Sequence, residues 1–123
     1  MKPQYLLLID DEAPIRELLS HFLSTSGYRV HAASGVHEAL REVRKEAPDL
    51  VISDLQLDDG DGFEMIKEIK TLCPTTPVIL LTGVLFDGEV VDKTLKDLID
   101  RYLEKTTPLT KIAQTVKELL PAT

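Results

Sequence analysis

Four short apolar runs in this chain each end in residues able to do chemistry. Asp10, Asp11 and Glu12 follow the first, Asp54 follows the second, Thr82 and Gly83 the third, and Lys105 the fourth. Carboxylates brought within a few ångströms of one another repel, and Mg²⁺ is the ordinary remedy, because it takes oxygen ligands and few protein carboxylates. A hydroxyl and an ammonium beside such a metal would each hold one oxygen of a transferred phosphoryl group. An Asp carboxylate is then the nucleophile, and the product is an aspartyl-phosphate. Taken singly, the same residues read as a helix cap in a solvated turn, a turn threonine and a surface lysine. Their joint placement after four apolar runs carries the reading. A calcium loop beginning at Asp54 is excluded, since it would put Asp59 where the obligatory glycine belongs and Met65 where the bidentate glutamate belongs.

The elements that must position these residues alternate. Tyr5–Ile9 is a continuous apolar run, and Pro14 opens a helix bearing Ile15, Leu18, Leu19, Phe22 and Leu23 on one face, closed by Gly27. Tyr28, Val30 and Ala32 alternate with polar residues as in a half-exposed strand, and Ser34 is expected to cap a helix over Val36, Ala39, Leu40 and Val43. Leu50–Ile52 is a second continuous run, followed by an Asp- and Gly-rich loop to Gly62 and a third helix with Phe63, Ile66 and Ile69. Val78–Leu81 predicts a buried strand; Val91, Leu95 and Leu98 outline a fourth helix; Tyr102 and Leu103 form the last strand. Thr107 and Pro108 are expected to cap and open a final helix carrying Leu109, Ile112, Ala113, Val116 and Leu120.

Five strands alternating with five helices predict a doubly wound α/β fold with a parallel sheet, because parallel strands need crossovers that cover both faces. The alternating second strand belongs at an edge, which agrees with strand order 2-1-3-4-5. In such sheets ligands sit beyond the carboxyl ends of the strands. That rim is where the acidic residues, Thr82 and Lys105 are expected to meet.

Composition bounds the partners. The 123 residues suit one domain, read as spanning 1–123, and 43% hydrophobic with 28% charged residues is the balance of a globular chain. Aromatic content of 5% argues against a base-stacking surface, and 14 basic against 21 acidic residues, a formal charge of -7, opposes phosphate backbones and anionic lipid. The expectation is no nucleic acid contact and no membrane. Cys73 is the single cysteine, so neither an internal disulfide nor a thiolate zinc site is available, and a reducing, cytoplasmic setting is expected. His21, His31 and His37 show neither metal-ligand spacing nor an acidic triad partner and read as surface or packing residues.

The segments LLLIDDEAPIRELL, PDLVISDLQLDDGDGFEMIKEIK, PVILLTG and YLEK resemble the receiver domain of two-component response regulators, and the likeness covers essentially the whole chain. The resemblance implies that Asp54 accepts a phosphoryl group from a phosphohistidine on a sensor histidine kinase or histidine phosphotransfer protein. It implies Mg²⁺ held by Asp11, Asp54 and the backbone carbonyl of Gln56, with Asp10 acting largely through water. Thr82 would be the switch hydroxyl, Tyr102 the switch aromatic, Lys105 the phosphate-neutralising ammonium and Gly62 the loop-closing glycine. Gln56 and Val84 would tune the lifetime of the acyl-phosphate. The family's output face, the fourth helix with the last strand and last helix, would meet a downstream output domain or protein, or a second copy of the chain; Lys93 and Lys96 lie near it. The chain would be no enzyme beyond transfer to its own Asp and self-dephosphorylation.

Four departures from the family pattern stand out. Asp58 replaces a proline of the acceptor loop, Leu98 and Ile99 replace a Gly-Ala pair, Thr106 replaces the proline after the lysine, and the interval from Thr82 to Lys105 is about one residue longer than typical. A cis Lys105–Thr106 peptide would cost roughly 2.5–4 kcal/mol, so either strain is retained or Lys105 is re-aimed. Two other function classes stay open at this level. A haloacid dehalogenase-type phosphohydrolase also uses Asp, Thr, Lys and Mg²⁺, but its nucleophile and acid lie two residues apart, whereas Asp11 follows Asp10 directly. A phosphate-independent binding module would fit the changes at Asp58 and Thr106.

Overall fold

The computed structural model describes residues 3–83 and 97–120. Its strands are β1 (Tyr5–Ile9), β2 (Arg29–Ala33), β3 (Leu50–Ser53), β4 (Gln56–Leu57), β5 (Gly60–Asp61), β6 (Val78–Thr82) and β7 (Arg101–Glu104). Its helices are α1 (Ala13–Thr25), α2 (Val36–Lys45), α3 (Gly62–Leu72) and α4 (Leu109–Leu119). Five strands form one parallel sheet in the order β2-β1-β3-β6-β7, the order expected from the apolar runs. β2, the alternating strand, stands at one edge and β7 at the other. The expected fourth helix, with Val91 and Leu95, lies outside the described residues, as do Val84, Lys93 and Lys96.

Period-two alternation on the central strands sorts their side chains into two cores. Leu7, Ile9, Val51, Val78 and Leu80 face Ala39 and Val43 of α2 and Met65, Ile66 and Ile69 of α3. Leu6, Leu8, Leu50, Ile52, Ile79 and Leu81 face Leu19 and Leu23 of α1 and Ile112 and Val116 of α4. Each such Leu or Ile contributes roughly 1.5–3 kcal/mol by leaving water, so the strands cannot slip register without losing both layers. Cys73 is buried at the end of α3 as a packing residue.

Helix ends differ from their sequence-based expectations in instructive ways. Gly27 adopts φ 103° just past α1, the left-handed closure expected of it. Ser34 does not cap α2: the N-cap is Gly35, and Ser34 instead directs its N–H and hydroxyl to Glu38 Oε1 at 3.5 and 3.2 Å. The cap comes from elsewhere. Asp59 accepts from the N–H of Val36 at 2.8 Å and of His37 at 3.1 Å. Pro108 rather than Thr107 occupies the N-cap of α4. Asp61 caps α3 through the N–H of Phe63 at 2.9 Å.

Candidate functional site

β1 and β3 are neighbours, and their following helices lie on opposite faces, so a crevice opens where the two chains part at the carboxyl rim. Asp10 enters it directly after β1, its N–H donated to the Ala33 carbonyl at 3.1 Å; Asp54 enters it after β3, its N–H donated to the Ile9 carbonyl at 3.1 Å. These two ladder-end hydrogen bonds set the acidic residues side by side. Carboxylate oxygens of Asp10, Asp11 and Asp54 all lie within 4.8 Å of one another. Asp10 is 1% and Asp54 4% exposed.

Backbone donors orient the acids before any ligand arrives. Asp54 Oδ1 accepts from the N–H of Leu55 at 2.7 Å and of Gln56 at 3.2 Å, which leaves Oδ2 turned to Lys105 Nζ at 2.7 Å. Asp10 Oδ1 accepts from the Glu12 N–H at 2.8 Å, and Arg16 Nη1 donates to the Asp10 carbonyl at 2.7 Å, bracing the turn from α1. Lys105 reaches the site because β7 pairs with β6 and the Lys105 N–H donates to the Thr82 carbonyl at 2.9 Å. Its ammonium also lies 2.9 Å from Glu12 Oε2 and 3.2 Å from Asp10 Oδ2.

These charges perturb one another. Burial raises the Asp10 carboxyl above its ordinary value, against the lowering effects of the Glu12 N–H and Lys105. Asp11 is also raised, by desolvation first and then by the charge and hydrogen bond of Asp58, with Asp54 adding to the push. Burial alone would depress Lys105, but hydrogen bonds to Asp54 and Glu12 and the charge of Asp10 outweigh it and hold the ammonium well above the usual lysine range. Lys105 is therefore charged at neutral pH.

The acids and Lys105 border an open cleft of about 500 Å³ lined by Asp11, Glu12, Asp54, Gln56, Leu57, Asp58, Gly83 and Lys105. Gly62 lets the chain pass close behind the residue after Asp54: a Cβ there would sit 2.7 Å from Leu55 Cα and closer still to the Leu55 carbonyl. The donor set is all hard oxygen, crowded, and raised in carboxyl pKa at two members, which is the condition a small divalent cation relieves. Mg²⁺ fits it.

A profile of the response regulator receiver domain matches residues 6–117. The chain belongs to that family. This receiver domain is 39% identical over 125 residues to the transcriptional regulatory protein GlrR of Escherichia coli, covering 89% of the chain and 28% of GlrR. It is 31% identical over 118 residues to the response regulator protein VraR of Staphylococcus saprophyticus, covering 94% of the chain and 56% of VraR. The chain thus spans only part of the curated relatives it matches. Among solved structures it is similar to the chemotaxis response regulator CheY4 of Vibrio cholerae, with 28% identity, TM-score 0.86 and coverage of 97% and 100% of the two chains. It is also similar to the response regulator TrrA of Thermotoga maritima in complex with Mg²⁺ and BeF, with 31% identity, TM-score 0.83 and coverage of 95% and 99%.

The receiver domain brings Asp10, Asp11, Asp54, Gln56 and Lys105 to one rim, with Thr82 buried at the end of β6 beside them. Tyr102 lies on β7 opposite Leu80 and is 38% exposed. Among the described residues there is no cis peptide bond, so Lys105–Thr106 is trans; Lys105 nevertheless points at Asp54, and neither consequence expected of Thr106 is realised. His31 Nε2 lies 3.0 Å from Glu38 and His37 Nδ1 3.6 Å from Asp59. Glu12, grouped with the acid pair in the sequence, contacts Lys105, while the contacts of Arg16 and Asp59 have no counterpart in the expectations from sequence; Asp59 acts across 22 and 23 residues and leaves no local pattern.

No described helix is long and apolar enough to cross a membrane.

Proposed function

We propose that this receiver domain is a phosphoacceptor switch in which Asp54 takes a phosphoryl group from a phosphohistidine. The donor class is a sensor histidine kinase or a histidine phosphotransfer protein, in the cytoplasm. The observation that carries the reading is the division of labour at Asp54. Oδ1 is pinned by two backbone N–H groups, and Oδ2 faces the cleft beside the Lys105 ammonium. Oδ2 is the attacking atom. As its P–O bond forms, the P–N bond to the donor imidazole breaks and the electron pair leaves with that nitrogen. Lys105, already charged, moves from Oδ2 to an equatorial phosphoryl oxygen with little loss of pairing. Thr82 supplies a hydroxyl from the adjoining strand end.

Asp11, Asp54 and the Gln56 carbonyl would hold Mg²⁺, with Asp10 acting through water. When bound, the cation neutralises charge on the transferred group and on the crowded carboxylates. Support for this assignment comes from the clustered oxygens of Asp10, Asp11 and Asp54 and from the Mg²⁺ and BeF in the similar TrrA structure. Gln56 is among the residues lining the cleft, which supports a part for it in setting how readily water attacks the acyl-phosphate. Val84, two residues after Thr82, offers no hydrogen bond to orient a water, so self-dephosphorylation should be slower than in Val84→Glu or Val84→Asn.

The signal leaves through the face that includes β7 and α4, to a downstream output domain or protein, or to a second copy. Tyr102, exposed on edge strand β7, supports this choice. An acidic chain suits no direct contact with nucleic acid; any such contact belongs to the output partner.

Incubation with Mg²⁺ and acetyl phosphate, read by intact mass, tests the reading. The parent should gain one adduct of about 80 Da and Asp54→Asn none. Repeated turnover of the phosphodonor would instead favour a phosphohydrolase, and no Mg²⁺-dependent adduct would favour a phosphate-independent binding module.

A further inference from the structure

The loop after Asp54 is not a free connection. β4 and β5 pair as a tight antiparallel hairpin, Gln56 opposite Asp61 and Leu57 opposite Gly60, so Gln56 and Asp59 belong to one short hairpin, Asp59 in its turn. One end of that unit lines the acidic cleft, with Gln56, Leu57 and Asp58 on its wall. The other end is bolted to α2: Asp59 accepts from Val36 N–H at 2.8 Å and His37 N–H at 3.1 Å, filling the cap that Gly35 lacks a side chain to supply. Two glycines make room for this contact. A Cβ on Gly35 would lie 2.8 Å from Asp59 Cγ, and a Cβ on Gly60 would lie 3.2 Å from Val36 Cγ2. Both backbone N–H groups depress the Asp59 carboxyl pKa, so the cap is charged at neutral pH.

We propose that Asp59 is a positioning residue for the acceptor site, fastening the β4–β5 hairpin to the N-terminus of α2 and thereby holding Gln56 where its carbonyl can serve Mg²⁺. The inference rests on the metal reading given above. It also makes α2 respond to the metal. If the fastened hairpin binds Mg²⁺ better than a loosened one, then by reciprocity Mg²⁺ favours the fastened state.

Two variants loosen the contact from opposite sides without touching the acids, Gln56 or Lys105. Asp59→Ala removes the acceptor, and Gly35→Ala inserts a methyl group into its seat. Mg²⁺ affinity is measured by calorimetric titration, and amide hydrogen exchange at Val36 and His37 is followed with and without Mg²⁺. Asp59→Ala and Gly35→Ala should each weaken Mg²⁺ binding on the order of three- to tenfold, the size of a lost cap, and Asp59→Asn should recover part of it. In the parent, Mg²⁺ should slow exchange at both amides, and in Asp59→Ala it should not. Variants that lose amide protection yet bind Mg²⁺ as the parent does would show the cap to be structural only and overturn the proposal. A parent that fails to bind Mg²⁺ overturns the metal reading itself, and the proposal with it.

Discussion

Lys105 Nζ lies 2.7 Å from Asp54 Oδ2, although their strands β7 and β3 are separated in the sheet by β6. The same ammonium contacts Asp10 and Glu12, so one cation offsets three carboxylates in the resting site. Lys105→Met should therefore lower stability in chelator by roughly 1–3 kcal/mol, the cost of leaving a partly buried carboxylate uncompensated. Added Mg²⁺ should recover part of that loss by mass action. Thermal unfolding of parent and variant across a Mg²⁺ series checks this, and a deficit independent of Mg²⁺ would refute the shared-cation account.

The raised Asp11 carboxyl makes a signed prediction about pH. An acid whose folded pKa lies above its unfolded value favours folding at low pH, and that contribution is lost as pH rises through the folded pKa. At neutral pH without metal, ionised Asp11 beside Asp58 and Asp54 is thus a penalty. Asp11→Asn should be more stable than the parent near pH 7 in chelator. The advantage should fade as pH falls through the raised Asp11 range toward that of an ordinary aspartate. In Mg²⁺ the order should reverse, with Asp11→Asn losing metal affinity and labelling rate together and Asp10→Asn milder in binding. Paired melting curves against pH provide the measurement.

Gly62→Ala tests the close packing against Leu55. Its Cβ would collide with Leu55 backbone, which cannot yield as a flexible side chain could. A loss of roughly 1–3 kcal/mol is expected, together with slower labelling by acetyl phosphate, because Leu55 and Gln56 supply the N–H groups that orient Asp54. Unaltered stability would mean that the loop moves aside at no cost.

Thr82→Ala tests the switch. Thr82 is buried at the end of β6, two positions along from Leu80, the register partner of Tyr102. The variant should still gain the acyl-phosphate adduct by intact mass. Phosphorylation should shift the Tyr102 ring and β7 amide resonances strongly in the parent and weakly in the variant, since a ligand moves a two-state element only through differential contacts. Equal shifts in both proteins would remove Thr82 from the switch.

Much of this receiver domain was legible in its sequence. Continuous apolar runs at Tyr5–Ile9 and Leu50–Ile52 marked central strands because a strand covered on both faces has no polar positions to show. The alternation around Val30 marked an edge strand. Once the strand order followed, Asp10, Asp54, Thr82 and Lys105 had to share a rim, since parallel strands bring all their carboxyl ends to one side. Tertiary structure alone decided how those groups pair. Glu12 and Lys105 meet across 93 residues, and Asp59 reaches Val36 across 23, because crossover geometry and strand register place them, and neither leaves a local pattern in the chain. The same holds for the cap of α2. Ser34 carried the expected capping side chain by local preference, but a closer acceptor arrived from the β4–β5 hairpin, and only the folded hairpin determines where Asp59 stands.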